Sequence, residues 1–331
     1  MGGVEGLEAR PHGIFGPVAA DLDTIEARLR RLIDTDPEVV ATPMADLVAA
    51  GGKRIRPALV LLAAKGGRYD LDKLTPAAVS VELTHAATLV HDDVIDRAPL
   101  RRGRPTVAAQ LGDEPAIVVG DFYFAKAYEQ AALTDSPEAV AILARAVMDI
   151  CAGEVRQQAI RYHYDTDVEE YMRRIEAKTA ALLAACCDIG ALLGHIDATR
   201  RLALRTYGRL LGLAFQIADD VLDYEGSEDE IGKPIGHDIA EGFATLPLML
   251  AREDAPIAAK LGRILRPGRE LSAAEAKQAV DIVRASRGPQ RAVERARELA
   301  SSARRQLESL GDGEAATALG ALTTYVVSRK L

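Results

Sequence analysis

Two pentads of one form, Asp92-Asp93-Val94-Ile95-Asp96 and Asp219-Asp220-Val221-Leu222-Asp223, are the residues of this chain best suited to chemistry. Each sets its first and last Asp at i and i+4, one turn apart on one face of a helix. Each lies in an apolar stretch, where ionised carboxylates are costly unless something pairs with them. Two facing helices of this kind make a hard, oxygen-rich site. It suits Mg²⁺ that keeps some waters and takes its remaining ligands from a diphosphate. A single Asp-x-x-x-Asp is usually a solvated helix face. Two copies, each followed by basic residues and a turn containing Gly, are harder to read that way.

The flanking residues extend the pattern. At about 100° per residue, Val81, His85, Thr88, Asp92 and Asp96 share one face of the first helix. Gly212, Phe215, Gln216, Asp219 and Asp223 share one face of the second. Each stripe is polar at one end and small or apolar towards the other, as in a pocket with an anionic head site and a greasy depth. Basic groups stand in clusters. Lys53 and Arg56 are three apart at a helix start, beside Gly51-Gly52. Arg101 and Arg102 follow the first pentad, Lys233 follows the second, and Lys178-Thr179 lies mid-helix. Singly these are surface charges; together they balance the carboxylates, and they are the expected partners of diphosphate oxygens. No Gly-x-x-x-x-Gly-Lys-Ser/Thr loop, Gly-x-Ser-x-Gly or Cys/His zinc spacing occurs.

The elements that must position these residues read as helices. Expected segments run from Ala19 to Ile33, Pro43 to Ala50 and Pro57 to Ala64. Thr75 before Pro76 is taken as the N-cap of the first pentad's helix, which ends near Pro99. Arg101 to Pro105 reads as a loop. Helices are expected from Gly120 to Ala132, from Ser136-Pro137 to about Tyr162, from Val168 to Leu193 and from Ala198 to Tyr224. Gly226 to Gly236 reads as a polar loop, and Ser272 to Glu275 matches a capping box. The sum is about ten to thirteen helices and no confident strand, a large all-α bundle with its chemistry inside. Residues 1–17 read as a flexible start and 18–331 as one domain.

Composition agrees. Of 331 residues 48% are hydrophobic but only 4% aromatic, with no Trp, so the apolar content is Ala, Leu, Val and Ile. The net charge of −8 argues against general nucleic-acid binding. Cys151, Cys186 and Cys187 lie in apolar helical surroundings and read as reduced thiols. No signal peptide and no bilayer-length apolar run is visible, which points to a cytoplasmic protein without membrane insertion.

Read in order, the motifs resemble a family. They are Gly51-Gly52-Lys53-Arg54-Ile55-Arg56-Pro57, His85 ahead of His91-Asp92-Asp93-Val94-Ile95-Asp96, and Arg101-Arg102-Gly103-Arg104-Pro105-Thr106. Gly120-Asp121-Phe122-Tyr123-Phe124-Ala125, Gly153-Glu154-Val155-Arg156-Gln157 and Lys178-Thr179-Ala180 follow. The last are Phe215-Gln216-Ile217-Ala218-Asp219-Asp220-Val221-Leu222-Asp223-Tyr224 and Gly232-Lys233-Pro234-Ile235-Gly236-His237-Asp238. Over about residues 40–250 the chain resembles the trans-polyprenyl diphosphate synthases. The resemblance implies the all-α isoprenoid synthase fold with a central active-site cavity, usually as a homodimer. It implies head-to-tail addition of isopentenyl diphosphate to an allylic diphosphate, with about two to three Mg²⁺ ions. By motif position it implies that Asp92, Asp96 and Asp219 hold Mg²⁺, with Asp223 acting through water. Arg101, Lys178 and Lys233 are then assigned to the allylic diphosphate, and Lys53, Arg56, His85 and Arg102 to isopentenyl diphosphate. Thr179 and Gln216 are assigned to the allylic carbocation.

Small residues at Ala87 and Thr88, one turn before Asp92, imply an open channel and a product longer than C20. Thr88 shares the Asp92 face, whereas Ala87 points about 140° away and rests on the resemblance alone. Phe122, Phe124 or the helix around Met148 are candidate channel floors. The alternatives are a short-chain farnesyl or geranylgeranyl synthase, a terpene cyclase on the same fold, and a non-catalytic partner subunit. The basic set argues against the cyclase, and the intact pentads against the inactive subunit. One departure stands out: where the family often has Lys, in Glu-Gly-Lys-x-Thr-Leu-Pro, this chain has Phe243.

Overall fold

The first pentad ends a 25-residue helix, α4 (Leu71–Ile95), whose middle is buried on every side. Such a stretch gains by packing all round, and this explains its low amphipathicity better than any exposed face would. The computed structural model describes residues 13–49, 52–226 and 235–328. Ahead of α4 run α1 (Ala19–Asp34), α2 (Glu38–Ala49) and α3 (Ile55–Ala64). After it come α5 (Val107–Leu111), α6 (Asp113–Ala132) and α7 (Pro137–Ala159). Next are α8 (Val168–Ile175), a π-helical turn (Glu176–Ala180), α9 (Ala181–Leu193) and α10 (Ala198–Glu225). The rest is α11 (His237–Ala240), α12 (Leu246–Ala251), α13 (Ala255–Ile264), α14 (Ala273–Arg284), α15 (Gly288–Gln306) and α16 (Glu314–Ser328). The fold is all-α.

The chain forms two compact units. One comprises residues 1–145, 185–205 and 309–319; the other comprises 146–184, 206–308 and 320–331. Among the described residues no helix is long and apolar enough to cross a membrane.

Local chemistry accounts for several boundaries. Ser272 accepts from the Glu275 N–H while Glu275 reaches back to the Ser272 N–H, the expected capping box. Ser136 accepts from the Ala139 N–H and starts α7. Other expectations are corrected. Thr75 is not an N-cap: α4 begins at Leu71 after Asp70 and carries Pro76 within it. Leu74, Ala77 and Ala78 are fully buried there, and that packing outweighs the one backbone bond proline removes. Likewise α2 starts at Glu38 and contains Pro43. Arg101 to Pro105 is not a plain loop but a short antiparallel hairpin pairing Leu100 with Pro105 and Arg101 with Arg104. Its two turn residues, Arg102 and Gly103, both have positive φ, 51° and 74°, as tight two-residue hairpins require. Short helices such as α5, α11 and α12 raise the number above that expected, because a helix of four to six residues carries too little periodicity to be read. Residues 1–12 of the expected flexible start lie outside the described residues; at its end Phe15 and Val18 are buried.

Candidate active site

Arg54 organises the basic loop. It sits between Lys53 and Arg56, is buried, and takes a left-handed conformation with φ 50° as the N-cap of α3. Its Nε donates to Glu26 Oε2 at 2.7 Å and its Nη1 to Glu82 Oε1 at 2.7 Å. Its Nη2 donates to Glu26 Oε1 and to the Val48 carbonyl, both at 3.2 Å. The loop is thereby pinned to α1 and α4, with Glu82 one turn ahead of His85. Burial pushes the Glu26 carboxyl up, but Arg54 and Arg30 outweigh it and hold the group below the usual range. None of Arg54, Glu26 and Glu82 was singled out by sequence reasoning. The available signal was a lone Glu in the apolar run Val81-Glu82-Leu83, where a carboxylate needs a partner.

His85 stands about two turns before Asp92, the start of the first pentad. Burial, then the charges of Arg56, Arg102, Arg101 and Arg54, hold its imidazole well below its ordinary range. It is therefore neutral, with one N–H to donate. On α4, His85, Thr88, Asp92 and Asp96 are half-buried, while Ala86, Ala87, Val90 and Asp93 are buried. The polar members of the predicted stripe are thus half-buried, but Val81 at its start is buried, and Leu89, His91, Val94 and Ile95 on other faces are equally or more open. Thr88 Oγ1 donates to the His85 carbonyl at 2.7 Å. Asp93 points inward and accepts from Arg101 Nε at 2.9 Å, tying the hairpin to the helix end.

The second pentad repeats this division only for Asp219 and Asp220, because Asp223 is buried as well. Asp220 is buried and accepts from the Tyr171 hydroxyl at 2.6 Å and from Gln216 Nε2 at 2.8 Å. The Thr179 hydroxyl donates to Gln216 Oε1 at 2.7 Å. Thr179 and Lys178 lie on the π-helical turn, where the Ala181 N–H reaches back to the Glu176 carbonyl. Two glycines make room for that turn. A Cβ on Gly212 would fall 2.6 Å from Ala180 Cα, and one on Gly153 2.9 Å from Ala177 Cβ. Lys178 pairs with Glu154, one residue past Gly153. The sequence placed Lys178 and Thr179 mid-helix, but not in a widened turn, a feature frequent at functional sites.

Asp223 is buried and accepts from the backbone N–H groups of His237 and Asp238, each at 3.1 Å, at the start of α11. Asp219 is half-buried. Burial first, then the nearby Asp238 carboxylate, pushes both Asp220 and Asp223 well above the usual carboxylate range. So much carboxylate in a buried space fits a divalent cation, which would restore the ionised forms. Among the described residues no three His, Cys, Asp or Glu side chains converge to enclose an ion. An ion here would complete its shell from water and substrate oxygens, as Mg²⁺ does. Lys233 lies outside the described residues. Of the candidate floors, Phe122 and Phe124 are half-buried, and Phe124 packs on His91 with ring centroids 5.5 Å apart. Met148 is 62% exposed, so its side chain walls no interior channel of this chain.

Known proteins resemble this chain in sequence and fold. The Polyprenyl synthetase family matches residues 37–283. The chain is 37% identical over 316 residues to heptaprenyl diphosphate synthase component 2 of Geobacillus stearothermophilus, covering 96% of this chain and 98% of that one. It is 37% identical over 309 residues to the nonaprenyl diphosphate synthase of Mycobacterium tuberculosis, with 92% of each chain covered. Short-chain isoprenyl diphosphate synthases match at 36% and 37%, so identity alone does not sort products by length. A crystal structure of polyprenyl synthase from Caulobacter crescentus, complexed with calcium and isoprenyl diphosphate, superposes with a TM-score of 0.90. It is 36% identical, and the match covers 96% of this chain and 97% of that one. With the family match spanning well over half of its length, and relatives aligned nearly end to end, the chain belongs to the polyprenyl synthetase family and is a prenyltransferase.

Proposed function

We propose that this enzyme condenses isopentenyl diphosphate head-to-tail with an allylic diphosphate, using Mg²⁺, to give an all-trans-polyprenyl diphosphate longer than C20. One observation carries the reading. In both pentads the second Asp is buried and tied down, Asp93 by Arg101 and Asp220 by Tyr171 and Gln216, while Asp92, Asp96 and Asp219 stay half-buried. The second Asp is scaffold, and the half-buried outer residues would hold the metal. Asp92, Asp96 and Asp219 bind Mg²⁺, and Asp223 acts through water. When bound, Mg²⁺ neutralises the leaving diphosphate so that the C–O bond can ionise.

The protein's own groups do the rest. Arg101, Lys178 and Lys233 hold the allylic diphosphate, and Lys53, Arg56, Arg102 and neutral His85 hold isopentenyl diphosphate. Thr179 and Gln216 are already oriented by their mutual hydrogen bond and by Asp220, so they face the allylic cation without reorganising. The double bond of the second substrate attacks this cation, and the departing diphosphate takes the proton. No side-chain nucleophile is needed. The active form is a homodimer. Met148 and Val155 lie in line on α7, 62% and 73% exposed, and offer an apolar stripe for a second copy.

Incubation with isopentenyl diphosphate, farnesyl diphosphate and Mg²⁺, followed by mass analysis, tests the reaction. The expected products lie between hexaprenyl and decaprenyl. A helical turn is about 5.4 Å, close to one isoprene unit, so a channel open past the first turn admits several. Thr88→Phe or Ala87→Phe should shorten the product towards farnesyl or geranylgeranyl with activity retained. A wild-type enzyme that stops at farnesyl diphosphate under excess isopentenyl diphosphate refutes the open channel.

Steady-state constants separate the two substrate sites. His85→Ala and Arg56→Ala should raise KM for isopentenyl diphosphate more than KM for the allylic substrate, and Lys233→Ala should do the reverse. Equal shifts in both constants for all three variants would mean that the basic groups are wrongly divided.

A further inference from the structure

The lysine missing at Phe243 leaves a question of charge that the packing around that ring answers. Phe243 is buried. Its backbone N–H donates to the Asp238 carbonyl at 2.8 Å, which ties the segment to α11. Two guanidinium groups lie over the ring, Arg161 at 5.8 Å and Arg174 at 6.0 Å from its centroid. They differ in charge balance. Arg161 is partly exposed and ion-paired with Glu241. Arg174 is 4% exposed; its Nη2 donates to the Ala244 carbonyl at 2.7 Å, and its guanidinium also lies 5.5 Å from the Tyr171 ring. Among the described residues no carboxylate is within ion-pair distance of it.

Two aromatic faces and one carbonyl recover only part of what burying a guanidinium costs. The charge of Arg174 is felt by Asp220, whose carboxyl it pulls down against the rise that burial causes, so Arg174 is a buried positive charge beside the second pentad. Tyr171, on which it stacks one turn away along α8, bonds Asp220 of the second pentad, and Lys178 follows Arg174 by one helical turn. The buried cation thus stands next to the groups assigned above to the allylic diphosphate. An Arg fork suits phosphate oxygens at least as well as the ammonium of a lysine does.

We propose that Arg174 supplies, from α8, the diphosphate-directed positive charge that the segment Glu241–Pro247 lacks, with Phe243 serving as the aromatic face that holds it. The proposal rests on the reading of the site given above. Its test is calorimetric titration of the whole enzyme with inorganic diphosphate in Mg²⁺, with thermal unfolding measured alongside. Arg174→Met should weaken diphosphate binding by about tenfold, the scale of one charge-assisted contact, and adding Phe243→Lys to that variant should restore most of the loss. Phe243→Lys alone should bring no gain in affinity and should lower Tm, because it sets two cations side by side. The assignment is overturned if Arg174→Met binds like wild type, if the double variant stays as weak as Arg174→Met, or if Phe243→Lys alone binds tenfold tighter. Should Arg174→Met not fold, the Phe243→Lys measurement decides by itself. A wild-type chain that binds no magnesium diphosphate overturns the reading of the site instead.

Discussion

Asp92→Ala or Asp219→Ala should lower turnover by at least about two orders of magnitude, or about 2.7 kcal/mol in the barrier. Ionising an allylic diphosphate builds charge on the leaving group, and the Mg²⁺ that Asp92 and Asp219 are proposed to hold would neutralise it. The two residues are comparable in placement: each opens its pentad, each is half-buried, and each precedes a buried Asp that serves as scaffold. Their loss should therefore appear in kcat and in the Mg²⁺ requirement, with little change in stability. Asp93→Ala differs, because it releases the hairpin that Arg101 ties to α4. Its loss should show as a lower Tm as well. Near-wild-type turnover of either Asp92→Ala or Asp219→Ala in Mg²⁺ would refute the mechanism.

Arg54→Met should destabilise the protein by about 3–5 kcal/mol, the range for removing one partner of a buried ion pair. Arg54 bonds two carboxylates that are themselves nearly buried, and a methionine of similar length leaves both without that partner. The pH dependence gives the sign. The Glu26 pKa is lowered in the folded protein, so its contribution is present above the unfolded value and is lost as pH falls through the folded one. In the variant, burial acts without Arg54, and the same carboxyl is stabilised by protonation. The gap in unfolding free energy between wild type and variant should therefore narrow as pH falls below about 4.5. Lys53 and Arg56 flank the lost anchor, so KM for isopentenyl diphosphate should rise in whatever fraction stays folded. Denaturant unfolding at neutral and acid pH checks this. A variant within about 1 kcal/mol of wild type at pH 7 would show that the network contributes no more than a surface pair does.

Much of this protein is determined locally, and that part is legible in the sequence. Helical spacing alone sets His85, Thr88, Asp92 and Asp96 on one face, and in the structure all four are half-buried. The capping box at Ser272 depends on residues three apart and forms as expected. The motif order marks the family because each motif is short and contiguous. What only tertiary structure decides are partnerships between residues far apart in the chain. Arg54 finds Glu26 and Glu82, each 28 positions away, and Tyr171 finds Asp220, 49 positions away. The Tyr171 contact ties down Asp220 and leaves Asp219 half-buried, although the two aspartates are neighbours of identical chemistry. The π-helical turn under Thr179 and the helices that run through Pro76 and Pro43 have the same origin. Local propensities there differ by a few kcal/mol at most, and burial of whole helix faces outweighs them. A pattern of residues fixes which face a side chain takes; the packing of distant segments fixes what it meets.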